Sequence, residues 1–438
     1  MNEKAPSPLS RLLSRLAPVE PREAPAVVAA FCLFFFVLGG YFAVRPVRET
    51  VGTLLGRDRV ADLFVVTWIA SLAIVPLYGW IVAKFRRSVF LPWTYGFVAA
   101  VLALIGIAMG SDTLNTGLGQ FFYVFISVLN LFLVSIFWSF LLEIFDSGQT
   151  KRLFGVIAAG GSAGALAGPL VSDLTVEHIG NNGVLFIGAA MFVAAIVCQR
   201  ALLRIWADSA AAHPATTTRD DRPIGGNLFA GFMIVLRSPY LLGLALFVVL
   251  LATVNTILYF EQLRLVEQAF PDATDRTRVF ARLDWIVQSL TILSQVFLTG
   301  RIAKRFGVTA LLTVVPLLMV FGFFGLATSG TFMVLAIVFV GRRFCEYAFI
   351  RPGREMLFAP LDKETKYKAK NLIDVPVYRG ADALSAQVNS AIGAAGIGAA
   401  SVALLGAGVA AVWGLTGWWL GRRFEANAAT EAKAKQTA

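Results

Sequence analysis

The sequence predicts an all-α, multi-pass membrane protein with twelve transmembrane helices in two sets of six. Long uncharged runs point to it first: residues 24–44, 63–83, 88–111 and 238–260 contain no Asp, Glu, Lys or Arg. A helix needs about 20 apolar residues to cross a bilayer. Composition agrees, with 57% hydrophobic and only 15% charged residues and a mean hydropathy of +0.72, against about 25% charged in soluble domains. The third observation is a weak internal repeat. YFAVRPVRE at 41 parallels YFEQLRLVE at 259, RDRVADLFVVTWIASLAI at 57 parallels RTRVFARLDWIVQSLTI at 276, and GWIVAKFRR at 79 parallels GRIAKRFG at 300. DSGQTKRLFGVI at 146 parallels DKETKYKAKNLI at 362, so all four offsets fall between about 215 and 221 residues. Parallel six-helix repeats are one organisation of secondary transporters.

The spans are expected near 24–45, 61–83, 88–110, 120–143, 153–172, 183–203, 238–260, 282–300, 306–327, 330–350, 371–396 and 400–420. The first is too long for a signal-peptide core and ends in YFAVRPVRE instead of a small-residue cleavage site. The fifth carries GVIAAGGSAGALAGP, whose small residues at every fourth position suit close helix packing. It lacks the strand context and GKS/T ending of a phosphate-binding loop. The eighth has the weakest apolar signal, with Asp284 at its start. The last two share a 39-residue uncharged stretch, 383–421, whose GAAGIGAA segment is the expected junction.

Orientation follows from the loops. Lys84, Arg86 and Arg87 follow span 2, Lys151 and Arg152 precede span 5, Arg301, Lys304 and Arg305 follow span 8, and Lys363, Lys366, Lys368 and Lys370 precede span 11. Loops 111–119, 173–182 and 328–330 hold no lysine or arginine. The positive-inside rule then puts both termini in the cytoplasm. Two outer loops mix Arg57, Arg59, Arg264, Arg276 and Arg278 with Asp58, Asp62, Glu267, Asp272 and Asp275. The expected organisation is a cytoplasmic tail 1–23, a six-helix bundle 24–203, a cytoplasmic linker 204–237 rich in Ala, Thr and Pro, a second bundle 238–420, and a tail 421–438. The formal charge of +11 is met by anionic membrane lipids, without nucleic acid as a partner.

Ionisable groups inside spans are costly, face the bundle interior and mark transport paths. Arg45 and Arg48 lie three apart on one face, and Pro46 is expected to break the helix there. Two guanidiniums can take phosphate or carboxylate by bidentate bonds, or can lie at headgroup level. Glu261 occupies the equivalent place after span 7, and Gln288 and Gln295 follow one face of span 8. Span 10 holds Arg342, Arg343 and Glu346, which either bind substrate or neutralise one another. Arg351 and Arg354 are expected to position them. Span 11 carries Asp374, Tyr378, Arg379, Asp382, Gln387 and Asn389, where one arginine between two aspartates suggests a charge relay or a fixed network. Glu143 and Asp146, next to Lys151 and Arg152, suggest a gating salt bridge or ordinary loop charges.

Other chemistry is poorly served. His178 and His213 cannot assemble a metal site, and Cys32, Cys198 and Cys345 read as packed side chains with no redox pair. No acid–base constellation suggests an enzyme, and no cofactor is expected.

The six-plus-six layout and the basic loops after spans 2 and 8 resemble the major facilitator superfamily. Its loop pattern is roughly G-x-x-x-D-R-x-G-R-R. This chain keeps Gly79, Lys84, Arg86 and Arg87 without the aspartate, then repeats Gly300, Arg301, Lys304, Arg305 and Gly307. YFAVRPVRET, FWSFLLEIFDSGQTKRLFGVIAAGGSAGALAGP and RPGREMLFAPLDKETKYKAKNLIDVPVYRGAD further resemble bacterial relatives of the ATP/ADP and NTP/NDP translocases, over 24–420. That resemblance implies a monomeric carrier of the bacterial cytoplasmic membrane, moving an anionic solute such as a nucleotide by alternating access. It also implies that Arg45 and Arg48, in the stretch where the family's basic residues help bind substrate, touch the solute. Coupling to protons through Asp374, Asp382 or Glu346 is one energy source and exchange is the other. The competing reading is a membrane protein that does not transport but handles lipid or assists envelope assembly.

Overall fold

The computed structural model describes residues 19–84, 87–111, 115–210, 228–297 and 299–437. The tail up to residue 18, Arg86 of the first basic loop and the centre of the linker, His213 included, lie outside the described residues. All the described regular structure is helical, as it must be where the bilayer offers no water to backbone groups.

The first six spans are α1 (Ala24–Leu55), α2 (Arg57–Lys84), α3 (Arg87–Gly110), α4 (Thr116–Ile144) and the two arms of Ser147–Ala210, named α5 (147–179) and α6 (181–210). The arms part at Gly180, whose φ of 68° leaves the helical region. A short α7 (Leu228–Arg237) leads into α8 (Pro239–Ala269), α9 (Ala273–Phe297) and α10 (Thr299–Ser329), the last interrupted at Gly307. α11 (Phe332–Cys345) continues through a π-helical turn over Glu346–Ile350 into Arg351–Leu357. α12 begins at Lys363–Leu372, passes through a second π-turn over Ile373–Val377 and ends in Tyr378–Ala394. α13 is Ala399–Thr437. These helices accommodate all twelve expected spans. Among the described residues, seven are long and apolar enough to cross a membrane by length and composition, counting α5 and α6 together. α9, α11 and α12 carry the charged clusters instead.

Several boundaries differ from expectation: α9 begins nine residues early, at Ala273, and α13 runs through the expected tail to Thr437. α1 runs ten residues past its expected end and is not broken at Pro46. A proline removes only its own N–H, so a single rung of the ladder is lost and packing can carry the helix through. The Thr50 hydroxyl donates to the Pro46 carbonyl at 3.2 Å. Likewise α8 continues to Ala269, so Glu261 and Arg264 are helical residues and not loop residues. At the start of α9, the Asp272 carboxylate accepts from the N–H groups of Thr274 (2.7 Å) and Asp275 (3.2 Å). These bonds stabilise the charged form and hold its carboxyl below the usual range.

By packing, the chain forms two compact units. Unit 1 takes the described residues of Met1–Val51, Val75–Arg222 and Asp272–Trp285; unit 2 takes Gly52–Ile74, Pro223–Pro271 and Ile286–Ala438. The units therefore cross the sequence halves twice, once in α2 and once in α9. In unit 1, a Cβ at Gly160, Gly164 or Gly168 would collide with the carbonyls of Phe31, Phe35 and Gly39 respectively. The numbers rise together, so α5 runs parallel to α1 along a stripe of direct backbone contact. Ser172 extends it by donating to the Ala43 carbonyl at 2.8 Å. Phe34 stacks on Phe137 with centroids 4.0 Å apart. In unit 2, Gly406 approaches Phe323, Gly417 approaches Leu312 and Gly421 approaches Thr309. These numbers run oppositely, so α10 and α13 are antiparallel. Phe247 and Trp413 fill the centre. The outer faces are apolar too, with Trp93, Phe97, Phe321, Ile337 and Leu415 exposed, as lipid-facing residues are.

The glycine stripe gives a paired prediction. Gly164→Ala pushes a methyl into the Phe35 carbonyl and should destabilise by about 1–3 kcal/mol, the usual range for overpacking. Gly155→Ala meets nothing within 4 Å and should stabilise by about 0.5–1 kcal/mol through helix propensity. Melting of the two purified variants measures both signs.

Candidate functional site

Each unit contains a buried polar cluster. In unit 1 the cluster forms where the C-terminal part of α1 meets α4 and the first half of α9. Arg48 donates to the Ser127 hydroxyl at 3.0 Å, lies 5.1 Å over the Tyr123 ring and pairs with Glu49. Arg45 reaches Glu49 and Asp284, each at 3.5 Å. Thr50 and Thr277 share a hydrogen bond at 2.6 Å. Two guanidiniums thus face two carboxylates. Glu49 lies four residues after Arg45 and was visible in the sequence by helical spacing, yet it was not singled out.

A second set in unit 1 joins α9 to α5. Asp173 accepts from Arg282 at 3.1 Å and from the Trp285 indole at 2.9 Å. Arg278 pairs with Glu177 at 2.7 Å and approaches Asp173 at 3.5 Å. Asp146 makes local contacts. It caps α5, accepting from the N–H groups of Gly148 and Gln149 at 2.7 and 2.8 Å. Arg152 pairs instead with Glu23 at 2.9 Å and Glu20 at 3.3 Å. Glu143 ends α4 beside this cap.

The unit 2 cluster is more cationic. Arg342, Arg343 and Glu346 are 6%, 4% and 7% exposed. Glu346 accepts from Arg342 at 2.8 Å and meets Arg351 at 3.6 Å. Both arginines of the pair 342–343 lie over the Phe339 ring, at 5.7 and 5.4 Å. Asn255 of α8 joins the helices. Its carbonyl accepts from Arg342, and its amide donates to the Tyr378 hydroxyl at 3.2 Å. One turn along α12, Asp382 accepts from Thr256 at 3.2 Å and sits 3.7 Å from Arg379. Asn255 and Thr256 are among the few polar residues in the uncharged run 238–260, which is the signal that could have found them.

The expected trio on α12 does not form. Asp374 pairs with Arg354 of α11 at 3.2 Å, leaving Arg379 with Asp382. Asp374 and Arg379 lie five apart on the same helix, and the Asp374 carboxylate is taken across helices by Arg354. Glu261 pairs locally with Arg264. Gln288 is half-buried, while Gln295 is exposed. The first half of α2 packs within unit 2. Trp68 donates to the Pro376 carbonyl at 3.2 Å, Gln387 to Asp62 at 3.2 Å and Ser390 to Asp58 at 2.7 Å.

The balance in unit 1 is testable. Arg48→Ala leaves Glu49 short of a partner at 6% side-chain exposure and should cost about 3 kcal/mol, the lower end for a broken buried pair. The double variant Arg48→Ala with Glu49→Ala should melt closer to the wild type than either single variant. Additive losses in that cycle would contradict the pairing.

The Major Facilitator Superfamily profile matches residues 30–349. ADP,ATP carrier protein 1 of Chlamydia trachomatis serovar D is 24% identical over 446 residues, covering 86% of this chain and 84% of the carrier. ADP,ATP carrier protein 2 of Chlamydia pneumoniae is 24% identical over 466 residues with the same coverage. Among solved structures, the nucleoside transporter NupG superposes with a TM-score of 0.63 at 14% identity, over 91% of this chain and 98% of that one. A bacterial homologue of the human lysosomal transporter Spinster, inward-facing and unoccupied, gives 0.59 at 13% identity, over 93% and 98%. At these identities the structural likeness speaks for the fold alone.

Proposed function

This chain belongs to the major facilitator superfamily, and from that membership we propose that it carries an anionic, phosphorylated solute of the nucleotide class across the membrane by alternating access. The observation that carries the reading is the charge on α11. Arg342 and Arg351 share one carboxylate, Glu346, and the buried Arg343 lies over the same Phe339 ring as Arg342. Two guanidiniums that share one carboxylate keep donors that a further anion can take. Guanidiniums suit phosphate because they offer two parallel donors to two oxygens. The Chlamydia relatives named as ADP,ATP carriers support a nucleotide over other anions.

Arg45 and Arg48 are the second set of proposed anion contacts, held ready by Glu49 and Asp284. Gln288, Glu261 and Tyr378 keep supporting roles as polar groups near these helices. The proposed membrane is the cytoplasmic one, with both termini inside, because the basic loops fall on one side of the span map. The contacts of α9 with α5 and of α2 with α12 join different sequence halves, so they are the ones an alternating cycle would break and remake. Asp173 is central to the first set. Asp382 is the proposed proton-coupling group, since it is buried, accepts from Thr256 and lies 3.7 Å from Arg379, so that gaining a proton would release that ion pair while keeping the Thr256 contact.

Two measurements check this. Proteoliposomes of the purified protein should take up labelled ATP or ADP well above empty vesicles, and Arg343→Ala should raise the apparent KM about tenfold or more, as loss of one charge-assisted contact implies. Uptake of adenosine with exclusion of ATP and ADP would overturn the anionic reading. In the same vesicles, a pH-sensitive dye should report proton movement with nucleotide in the wild type. Asp382→Asn should abolish that movement while nucleotide exchange persists. Absent or unchanged proton flux in the respective samples would remove Asp382 from coupling.

A further inference from the structure

Glu346 bridges its two guanidiniums only because α11 is deformed. Residues five apart on an α-helix point about 140° away from each other, at about 100° per residue. Glu346 and Arg351 are five apart and nevertheless meet at 3.6 Å. The π-turn over Glu346–Ile350, closed by the Arg351 N–H on the Glu346 carbonyl, adds the extra residue to the turn and brings both onto one face. One carboxylate oxygen then faces Arg342 at 2.8 Å and the other faces Arg351. Asn255 orients the first oxygen from α8 at 3.5 Å and holds Arg342 as well. Two oxygens of one anion, each facing a different guanidinium, are the arrangement a phosphate would take.

Exposure gives this arrangement a direction. Arg342 and Arg343 are almost fully buried, while the Arg351 side chain is 55% exposed and its contact with Glu346 is the longer of the two. An incoming anion meets Arg351 first, where the existing pair is weakest. We propose that Glu346 is a built-in counter-anion: it satisfies the guanidiniums while the site is empty and is displaced by the phosphate of the substrate. The assignment rests on the reading of this cluster as an anion site. It explains why a binding site for anions keeps a carboxylate at its centre. Without one, the empty carrier would hold bare guanidiniums in a low-dielectric space and would be trapped by the first anion to arrive. With one, binding and release exchange one ion pair for another, which keeps affinity moderate and turnover fast.

The test compares wild type, Glu346→Gln and Glu346→Asp as full-length purified chains, with ATP and inorganic phosphate as probes. Glutamine keeps the shape and can still accept from Arg342, but no longer competes as an anion. It should bind ATP about tenfold more tightly, one charge-assisted contact's worth, with a larger ATP-dependent rise in melting temperature and slower exchange in vesicles. Aspartate keeps the charge but cannot span both arginines, and should fall between. Should Glu346→Gln unfold without ligand, purification in ATP should preserve it and removal of ATP should unfold it. A Glu346→Gln protein that is destabilised in ATP and in its absence alike, or binds ATP no better than wild type, would overturn the counter-anion. A wild type that binds neither ATP nor phosphate would overturn the underlying reading of the site.

Discussion

A guanidinium inside a membrane span must be answered by an opposite charge, and this protein's internal architecture is arranged to supply the answers. In unit 1, Arg45 and Arg48 are matched by Glu49 from their own helix and Asp284 from α9. In unit 2, Arg354 is matched by Asp374, Arg379 by Asp382, and Arg342 with Arg351 by Glu346. Each pair joins turns or helices that apolar packing alone would leave free to slide. Hydrophobic contact gives little specificity between helices in a lipid solvent. Glycine stripes set how closely helices approach; the ion pairs set which turns face one another.

The difference between the two clusters matters for function. A balanced cluster behaves as a fastener, strong only while both partners are present. A cluster with more arginines than carboxylates retains affinity for an anion. The α11 cluster, where Arg342 and Arg351 share Glu346, is proposed to be of the second kind, and Asn255 of α8 ties it to Tyr378 of α12. The segments 52–74 and 272–285 pack with the opposite sequence half through polar contacts that include Asp62 with Gln387 and Asp173 with Arg282. Such contacts hold a conformation without making it permanent, which an alternating-access cycle requires.

Much of the fold was legible because bilayer length and charge avoidance leave few options. Uncharged runs located α1, α3 and α8, and every-fourth glycine in span 5 marked a close packing face, while packing groups 52–74 and 272–285 with the opposite sequence half. The side-chain network was less legible for definite reasons. Pro46 reads as a break, but a single lost hydrogen bond is affordable in a packed helix. The π-turn at Glu346 brings residues five apart onto one face, which regular spacing does not foresee, and Asp374 pairs with Arg354 on another helix, which spacing within one helix cannot show. Asp146 looks like a gate charge beside Lys151 and Arg152, but its first claim is the unsatisfied N–H groups that open α5. Asn255 was hidden by its neutrality, since a search for charges passes over an amide in an apolar run.

The central claim is that the arginines of α11 that share Glu346 hold phosphate. Equilibrium binding of adenosine, AMP, ADP and ATP to the purified protein at two ionic strengths tests it most directly. The account predicts that affinity climbs with each added phosphate and that the ATP–adenosine gap narrows as salt rises. Equal affinity for adenosine and ATP, unaffected by salt, would contradict it.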